Sequence, residues 1–125
     1  GVKTLDVSEC KSLETLICSG CESLESLTVN GANALLKLDI SSTSLKALDV
    51  SDLKLIKHLY CGFSKDQLGS LVVNGADALE ELSCWSETLK TLDVSGLKSL
   101  RRLACNGGLQ TLPINWKYWT VPVIN

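Results

Sequence analysis

Residues 45–61, LKALDVSDLKLIKHLYC, contain both forms of a short unit that recurs along the whole chain. In each form two leucine or isoleucine residues lie three positions apart, and a smaller apolar residue follows two positions later, so the unit reads L-x-x-L-x-(Val/Ile/Cys). The second leucine recurs at spacings of 9 to 12 residues, at Leu5, Leu16, Leu27, Leu38, Leu48, Leu59, Leu71, Leu82, Leu92, Leu103 and Leu112. These eleven units span residues 2–115 and predict a repeat architecture.

The units alternate between two kinds. In the Asp form, named for its common Leu-Asp-Val-Ser sequence, the third apolar residue is Val7, Val29, Val50, Val73 or Val94. In the Cys form, the third apolar residue is Cys18, Ile40, Cys61, Cys84 or Cys105. The true repeat is therefore one unit of each form, 20 to 23 residues long, and the chain holds about five such repeats.

The spacing within a unit indicates short strands. Alternation at i and i+2, as in Leu59 and Cys61, places both side chains on one face of an extended segment, and the residue between them points outward. Gly, Asn, Ser and Asp between the segments favour turns. Because one coil cannot bury its own leucines, the coils must stack. The sequence predicts a solenoid over residues 1–112 that is mainly β, with short parallel strands and few or no full helices.

Composition and charge limit the possible functions. The 125 residues include 24 Leu and carry a formal net charge of −2. This length fits one domain, and a hydrophobic share of 45% argues against disorder. A nucleic-acid partner requires clustered positive charge, so we expect none. No apolar stretch approaches the ~18–20 residues that a membrane-spanning helix needs.

The six cysteines are expected to carry thiols rather than disulfides. Cys18, Cys61, Cys84 and Cys105 occupy the inward third apolar position, where a thiol behaves as a small hydrophobe, and side chains stacked in a ladder rarely reach the disulfide dihedral. The remaining two, Cys10 and Cys21, fall in turns on opposite edges and are expected to be more exposed.

Catalytic and metal chemistry find little support in the sequence. Cys18 and Cys21 form a lone C-x-x-C with no second pair at zinc-ligand spacing. His58, the single histidine, should point outward while Cys61 points inward, so the two cannot act as a catalytic pair. We therefore expect a protein that is not an enzyme and has no catalytic residues, metal site or cofactor.

The outward residues of the two unit forms differ. Those of the Asp form are small, polar and monotonous, which fits hydrogen bonding to backbone N–H groups in the turns. Those of the Cys form vary and include Tyr, Trp and Arg, residue types enriched at binding hot spots. The predicted ligand-binding residues, on a face expected to be concave, are Lys37, Asp39, His58, Tyr60, Glu81, Trp85 and Arg102.

Two alternatives to this binding face remain open. Tyr60 and Trp85 could instead cover apolar surface, against a neighbouring domain. If the concave face is the other one, Asp6, Asp49 and Asp93 would form a sparse acidic column suited to cations or sugar hydroxyls.

The pattern breaks after Leu112. Residues 113–125 contain both prolines and two of the three tryptophans. A stacked solenoid exposes apolar leucines at its last coil, and large aromatic side chains cover such a surface efficiently. We interpret 113–125 as a C-terminal aromatic cap, with an aromatic carbohydrate platform as the alternative.

The alternating L-x-x-L-D-V-S and L-x-x-L-x-C units resemble bacterial leucine-rich repeats, in particular the internalin-like surface-protein subgroup. The resemblance implies secretion, location at a bacterial cell surface, and non-catalytic binding of a protein or glycan. The alternative is a structural repeat segment of a larger surface protein with no ligand of its own. The chain departs from the family pattern by lacking an asparagine ladder in the turns, and because it begins inside a repeat we interpret it as a fragment or processed form.

Overall fold

The computed structural model describes residues 1–66 and 68–105, which form a parallel-strand β-solenoid. No helix occurs in this part of the chain, so none there could cross a membrane. The predicted mainly β solenoid is confirmed, whereas the predicted cap, residues 113–125, lies outside the described residues. The strands are β1 Thr4–Asp6, β2 Thr15–Ile17, β3 Ser26–Thr28, β4 Lys37–Asp39, β5 Ala47–Asp49, β6 His58–Asp66, β7 Ser70–Val72, β8 Glu81–Ser86 and β9 Arg102–Cys105.

The Cys-form strands make one continuous sheet in the order β2-β4-β6-β8-β9, here called the Cys-form sheet. All of its strands are parallel, and each pairs with the strand one coil further along the chain. Its inward leucines stack in one column, in which Leu38, Leu59 and Leu103 have none of their surface exposed. Burying a leucine stabilises a fold by about 1.5–3 kcal/mol, so this column is a major part of the core.

The turns that follow the strands share one backbone hydrogen bond. The carbonyl of the third apolar residue accepts from the N–H three residues later, as between Val29 and Ala32 at 2.9 Å and between Val73 and Ala76 at 3.0 Å. Glycine occupies the third turn position in both cases, with φ of 108° at Gly31 and 98° at Gly75. This left-handed conformation is unfavourable for a residue with a Cβ, which explains the Asn-Gly pairs at these places.

Connection length explains why the Cys-form sheet is continuous. Each connection that leads into a Cys-form unit places the next leucine or isoleucine six residues after the valine: Val7 to Leu13, Val29 to Leu35, Val50 to Ile56, Val73 to Leu79 and Val94 to Leu100. Because these connections are equal in length, every Cys-form strand returns to the same height beside its predecessor.

The Asp-form strands are divided into the separate pairs β1-β3 and β5-β7, because the connections leading into them differ in length. Their spacings are six, five, seven and five residues: Cys18 to Leu24, Ile40 to Leu45, Cys61 to Leu68 and Cys84 to Leu89. Strands reached by six or seven residues pair with the preceding Asp-form strand. The first five-residue connection leads to β5, which does not join β3, and the second leads to Thr91, which forms an isolated bridge.

The cysteines behave as the repeat register predicts wherever their side chains are described. Cys18, Cys61 and Cys84 are buried, Cys10 and Cys21 are exposed, and all five are in the thiol form. Burial is the main reason why the pKa of the Cys18 thiol lies above its ordinary value. These buried thiols therefore belong to the apolar core.

Candidate functional site

Four of the predicted binding residues lie side by side on the outward face of the Cys-form sheet. Lys37, His58, Glu81 and Arg102 are successive partners in one register column running across β4, β6, β8 and β9. Tyr60 lies two residues from His58 on the same face of β6. The parallel register thus brings together residues that are 21 to 23 positions apart in the sequence.

Glu81 is the centre of a hydrogen-bond network in this column. Its Oε1 accepts hydrogen bonds from His58 Nδ1 at 2.8 Å and from the Tyr60 hydroxyl at 3.0 Å. Its Oε2 lies 3.2 Å from Arg102 Nη1. Because an ionised carboxylate only accepts hydrogen bonds, Nδ1 of His58 carries the proton in this arrangement. One carboxylate therefore fixes three side chains from two neighbouring strands.

The network changes the acidity of two of its members. The hydrogen bond from Tyr60 is the main reason that the pKa of Glu81 lies below its ordinary value; bonds from His58 and the charge of Arg102 add to this, and partial burial opposes it. Partial burial is the main reason that the pKa of Tyr60 is raised, followed by its bond to the Glu81 carboxylate. At neutral pH the site thus holds an ionised carboxylate and a neutral phenol.

Tyr60 also holds ring contacts with its neighbours. Its ring stacks on that of His58, with 6.4 Å between centroids and 10° between planes. Lys37 Nζ lies 5.6 Å from the centroid of the Tyr60 ring, within cation–π range. The His58 ring and the Lys37 ammonium group therefore hold the Tyr60 ring while Glu81 holds its hydroxyl, so contacts on several sides restrict this large amphipathic side chain.

Trp85 and Asp39 lie on the same face, but other contacts hold them. The Trp85 indole N–H donates to Ser83 Oγ at 2.9 Å on its own strand. Asp39 Oδ1 accepts from the backbone N–H of Ser41 at 3.0 Å. Asp39 thus supports the turn after β4, although its place in the repeat had suggested a ligand contact; its role in binding stays a prediction.

An ion pair beside this column was not among the predicted site residues. Arg101 Nη2 lies 3.3 Å from Glu80 Oε1, with the Arg101 side chain 73% exposed. Glu80 immediately precedes Glu81, and Arg101 immediately precedes Arg102. Because Glu81 and Arg102 are aligned partners, aligning the residues one position earlier would have predicted this pair. It widens the charged surface at the starts of β8 and β9.

The aspartates of the Asp-form face bind backbone N–H groups in the turns, as the sequence predicted. The carboxylate Oδ1 atoms of Asp6, Asp49 and Asp93 each accept from the backbone N–H two residues later, at 2.8–2.9 Å. Hydrogen bonds from Ser8 lower the pKa of Asp6, and those from Ser95 lower the pKa of Asp93. These carboxylates close turns, as short polar side chains commonly do.

The described residues bring together neither His58 and Cys61 nor a group of metal-binding side chains. His58 points outward on β6, while Cys61, on the opposite face of the same strand, is fully buried. Within residues 1–66 and 68–105, no three His, Cys, Asp or Glu side chains are grouped so that they could hold a metal ion. The Glu81 network presents charged groups, hydrogen-bonding groups and an aromatic ring on one face of the sheet. No family model, curated protein or solved structure matches this chain.

Proposed function

We propose that this protein is a non-catalytic binding module that recognises a protein or glycan ligand through the outward face of the Cys-form sheet. The single observation that carries the proposal is the Glu81 network, which holds His58, Tyr60 and Arg102 in fixed positions on a continuous sheet. Pre-organised side chains lose less conformational entropy on binding than mobile ones do. Tyr and Arg are also residue types that dominate binding energies at interfaces.

The charge pattern of this face favours a ligand with polar groups of both signs. Lys37 and Arg102 lie at opposite ends of the column, with Glu81 between them. Arg102 keeps 61% of its side chain exposed although it contacts Glu81, so its remaining N–H groups are open to a ligand carboxylate or hydroxyl. The ring of Tyr60 supplies an adjacent apolar surface for a side chain or a sugar ring.

The resemblance to internalin-like leucine-rich repeats supports the same proposal and extends it to a secreted protein at a bacterial cell surface. The alternative is a structural repeat segment of such a protein. What favours it is the regular turn chemistry of the Asp-form face, where Asp6, Asp49 and Asp93 bind their own backbone. A spacer needs only that regularity and no ordered side-chain network.

The two functions are separated by a binding screen and one triple variant. The folded 125-residue chain is applied to a glycan array and to an array of extracellular host proteins, and each hit is repeated with Tyr60→Ala, Trp85→Ala and Arg102→Ala combined. A matched variant on the other face combines Thr4→Ala and Thr91→Ala. We expect the triple variant to lose affinity by at least about a hundredfold, since hot-spot residues contribute about 2 kcal/mol or more each, and the matched variant to bind normally.

Circular dichroism confirms that both variants fold. A hit that binds the triple variant as tightly as the parent does not use the proposed face, and the proposal is wrong if every hit behaves in this way. Absence of any hit on both arrays would favour the structural segment.

A further inference from the structure

The Asp-form face contains an open groove between β3 and β5. Its volume is divided between two connected parts of about 300 and 640 Å³, sizes typical of ligand sites. Leu27 and Ala47 line both parts, so the groove runs along the whole length of both strands, from Glu25 at one end to Asn30 at the other. It lies where the five-residue connection separates the two sheets.

The end of the groove near Asn30 lacks a backbone hydrogen bond that the repeat makes elsewhere. The N–H of Val7 donates to the Thr28 carbonyl of the next coil at 2.9 Å, and the N–H of Val50 donates to the Val72 carbonyl of the next coil at 2.9 Å. The equivalent bond from Val29 to the carbonyl of Asp49 is not formed within the part of the chain that the structure describes. The edge of β3 therefore faces the groove with an unpaired donor.

The end of the groove near Glu25 also lacks a backbone hydrogen bond, here on the β5 wall. Elsewhere in the repeat, the N–H of Ser26 donates to the Lys3 carbonyl of the preceding coil at 3.1 Å, and the N–H of Ser70 donates to the Lys46 carbonyl of the preceding coil at 3.3 Å. Among the described residues, the equivalent bond from Ala47 to the carbonyl of Glu25 is missing. Each wall of the groove thus carries a backbone N–H, that of Val29 or that of Ala47, without the bond that the repeat makes elsewhere, and such groups are strong hydrogen-bond donors.

Asn30 provides an independent sign that the groove is incomplete. Its Oδ1 is buried and, within the described residues, has no hydrogen-bond partner. Within the described part of the chain, this oxygen is therefore an orphan acceptor beside the open backbone edges.

We propose that this groove binds one extended peptide segment of a partner protein, which inserts between β3 and β5 and forms backbone hydrogen bonds with both edges. A strand repeats its donors and acceptors at the same interval as the two walls, so a peptide backbone satisfies them in turn. A sugar presents hydroxyls without that periodicity. This site is on the opposite face from the Glu81 network and stands independently of the function proposed for that face.

The floor of the groove sets the side chains that the peptide needs. Leu27 and Leu48 lie beneath the two strands, and Val72 adds an exposed apolar side chain at the rim. Alternate residues of an inserted strand would point at this floor. The ligand is therefore an uncharged extended segment with small β-forming residues such as Val or Thr at alternate positions.

The first test requires no ligand. Native-state amide hydrogen exchange should find the N–H groups of Val29 and Ala47 exchanging at least about a hundredfold faster than those of Val7 and Val50, because exchange protection follows backbone hydrogen bonding. Equal protection at all four positions would show that the groove is closed in solution and would overturn the proposal.

The second test uses a defined peptide, an acetylated and amidated pentapeptide of alternating threonine and valine, titrated to about 1 mM into ¹⁵N-labelled protein. We expect amide shifts at Val29, Ala47 and Asn30. A matched peptide with alternate backbone nitrogens methylated keeps its side chains and loses donors along one edge, and it should bind at least about tenfold more weakly. No shift with the first peptide, equal binding of the methylated one, or shifts centred on Tyr60 would each overturn the proposal.

A variant checks the origin of the groove. Insertion of one glycine between Ser42 and Thr43 lengthens the connection from Ile40 to Leu45 to the six residues found before β3. We expect protection of the Val29 amide to rise and peptide binding to fall by at least about tenfold. Peptide binding that survives in a folded variant with a protected Val29 amide would place the ligand elsewhere and overturn the proposal.

Discussion

The substitution Glu81→Gln tests whether the network on the Cys-form sheet exists in solution. Glutamine keeps the shape of the side chain but removes its charge and replaces one oxygen by an NH₂ group. Either that group faces the donors of His58 and Tyr60, or it faces the Arg102 guanidinium. In the second orientation donors oppose donors. In the first, the contacts persist only if His58 Nδ1 and the Tyr60 oxygen become acceptors, so in both cases the bonds to an ionised carboxylate are lost.

The expected size of the effect follows from partial exposure. A hydrogen bond to a charged group contributes about 1.5–3 kcal/mol when it is buried, and an exposed ion pair contributes about 0–1 kcal/mol. The Glu81 side chain is 21% exposed and that of Arg102 is 61% exposed, which places their contact nearer the second range. We expect Glu81→Gln to lower the free energy of unfolding by about 1–2 kcal/mol at pH 7.

The dependence on pH gives a second readout. Because the pKa of Glu81 is lower in the folded protein than in the unfolded chain, the ionised carboxylate stabilises the fold above the unfolded pKa, near ~4.3. That contribution is lost as the pH falls through the lower folded pKa. The difference in unfolding free energy between the parent and the Glu81→Gln variant should therefore shrink as the pH falls below about 4.

Urea unfolding followed by far-ultraviolet circular dichroism at several pH values measures both quantities. Glu80→Gln is the matched control: its carboxylate lies on the neighbouring residue and forms its ion pair with Arg101. We expect this control to change stability by less than about 0.5 kcal/mol. Equal effects of the two substitutions would refute the network as described. So would a difference between the parent and the Glu81→Gln variant that stays the same from pH 7 down to about pH 3.

Three further predictions concern the solenoid itself. Gly75→Ala should lower the free energy of unfolding, measured with urea, by about 2–4 kcal/mol, because the added Cβ would lie 2.8 Å from a backbone carbonyl of the preceding coil. Gly96→Ala should lower it by only about 1 kcal/mol, because Gly96 also has a positive φ but its added Cβ would have no atom within 4 Å. Equal costs would contradict the close approach of the coils. Under native conditions iodoacetamide should modify Cys21 and leave Cys84 intact, as read by peptide mass spectrometry; rapid labelling of Cys84 would contradict its burial. Leu59→Ala should lower the free energy of unfolding by about 2–5 kcal/mol, and a loss below about 1 kcal/mol would show that the inward column is loosely packed.

Much of the fold was predictable because the repeat fixes side-chain direction and register together. Once Leu38, Leu59 and Leu82 are aligned as equivalent inward residues, their outward neighbours align as well. The sequence therefore predicted that Lys37 and His58 would lie in adjacent strands, as they do. The burial of the cysteines beside these leucines follows from the same alternation.

Side-chain conformation within the aligned column was not predictable from the register. The repeat places Glu81 between His58 and Arg102, but it does not say that the Tyr60 hydroxyl reaches the same carboxylate. The repeat register also does not say that Asp39, like the aspartates of the Asp form, accepts a hydrogen bond from the backbone N–H two residues later. Such contacts depend on rotamers chosen among several nearly equal alternatives, which a column of residue names does not encode.

The sequence shows the unequal spacing that accompanies the interruption of the Asp-form sheet. That this spacing separates β3 from β5 can be seen only when whole coils are stacked. The five-residue connection between Ile40 and Leu45 is satisfied locally, because its turn closes with Thr43 Oγ1 donating to the Ile40 carbonyl at 2.9 Å. The shortfall in length instead affects the next strand, which does not pair with its neighbour. Equal connections on one side and unequal ones on the other thus give the solenoid a continuous sheet that displays side chains and a divided sheet that displays backbone edges. If both proposals hold, the two faces recognise partners by different chemistry, and substitutions at Tyr60 should leave peptide binding in the groove unchanged.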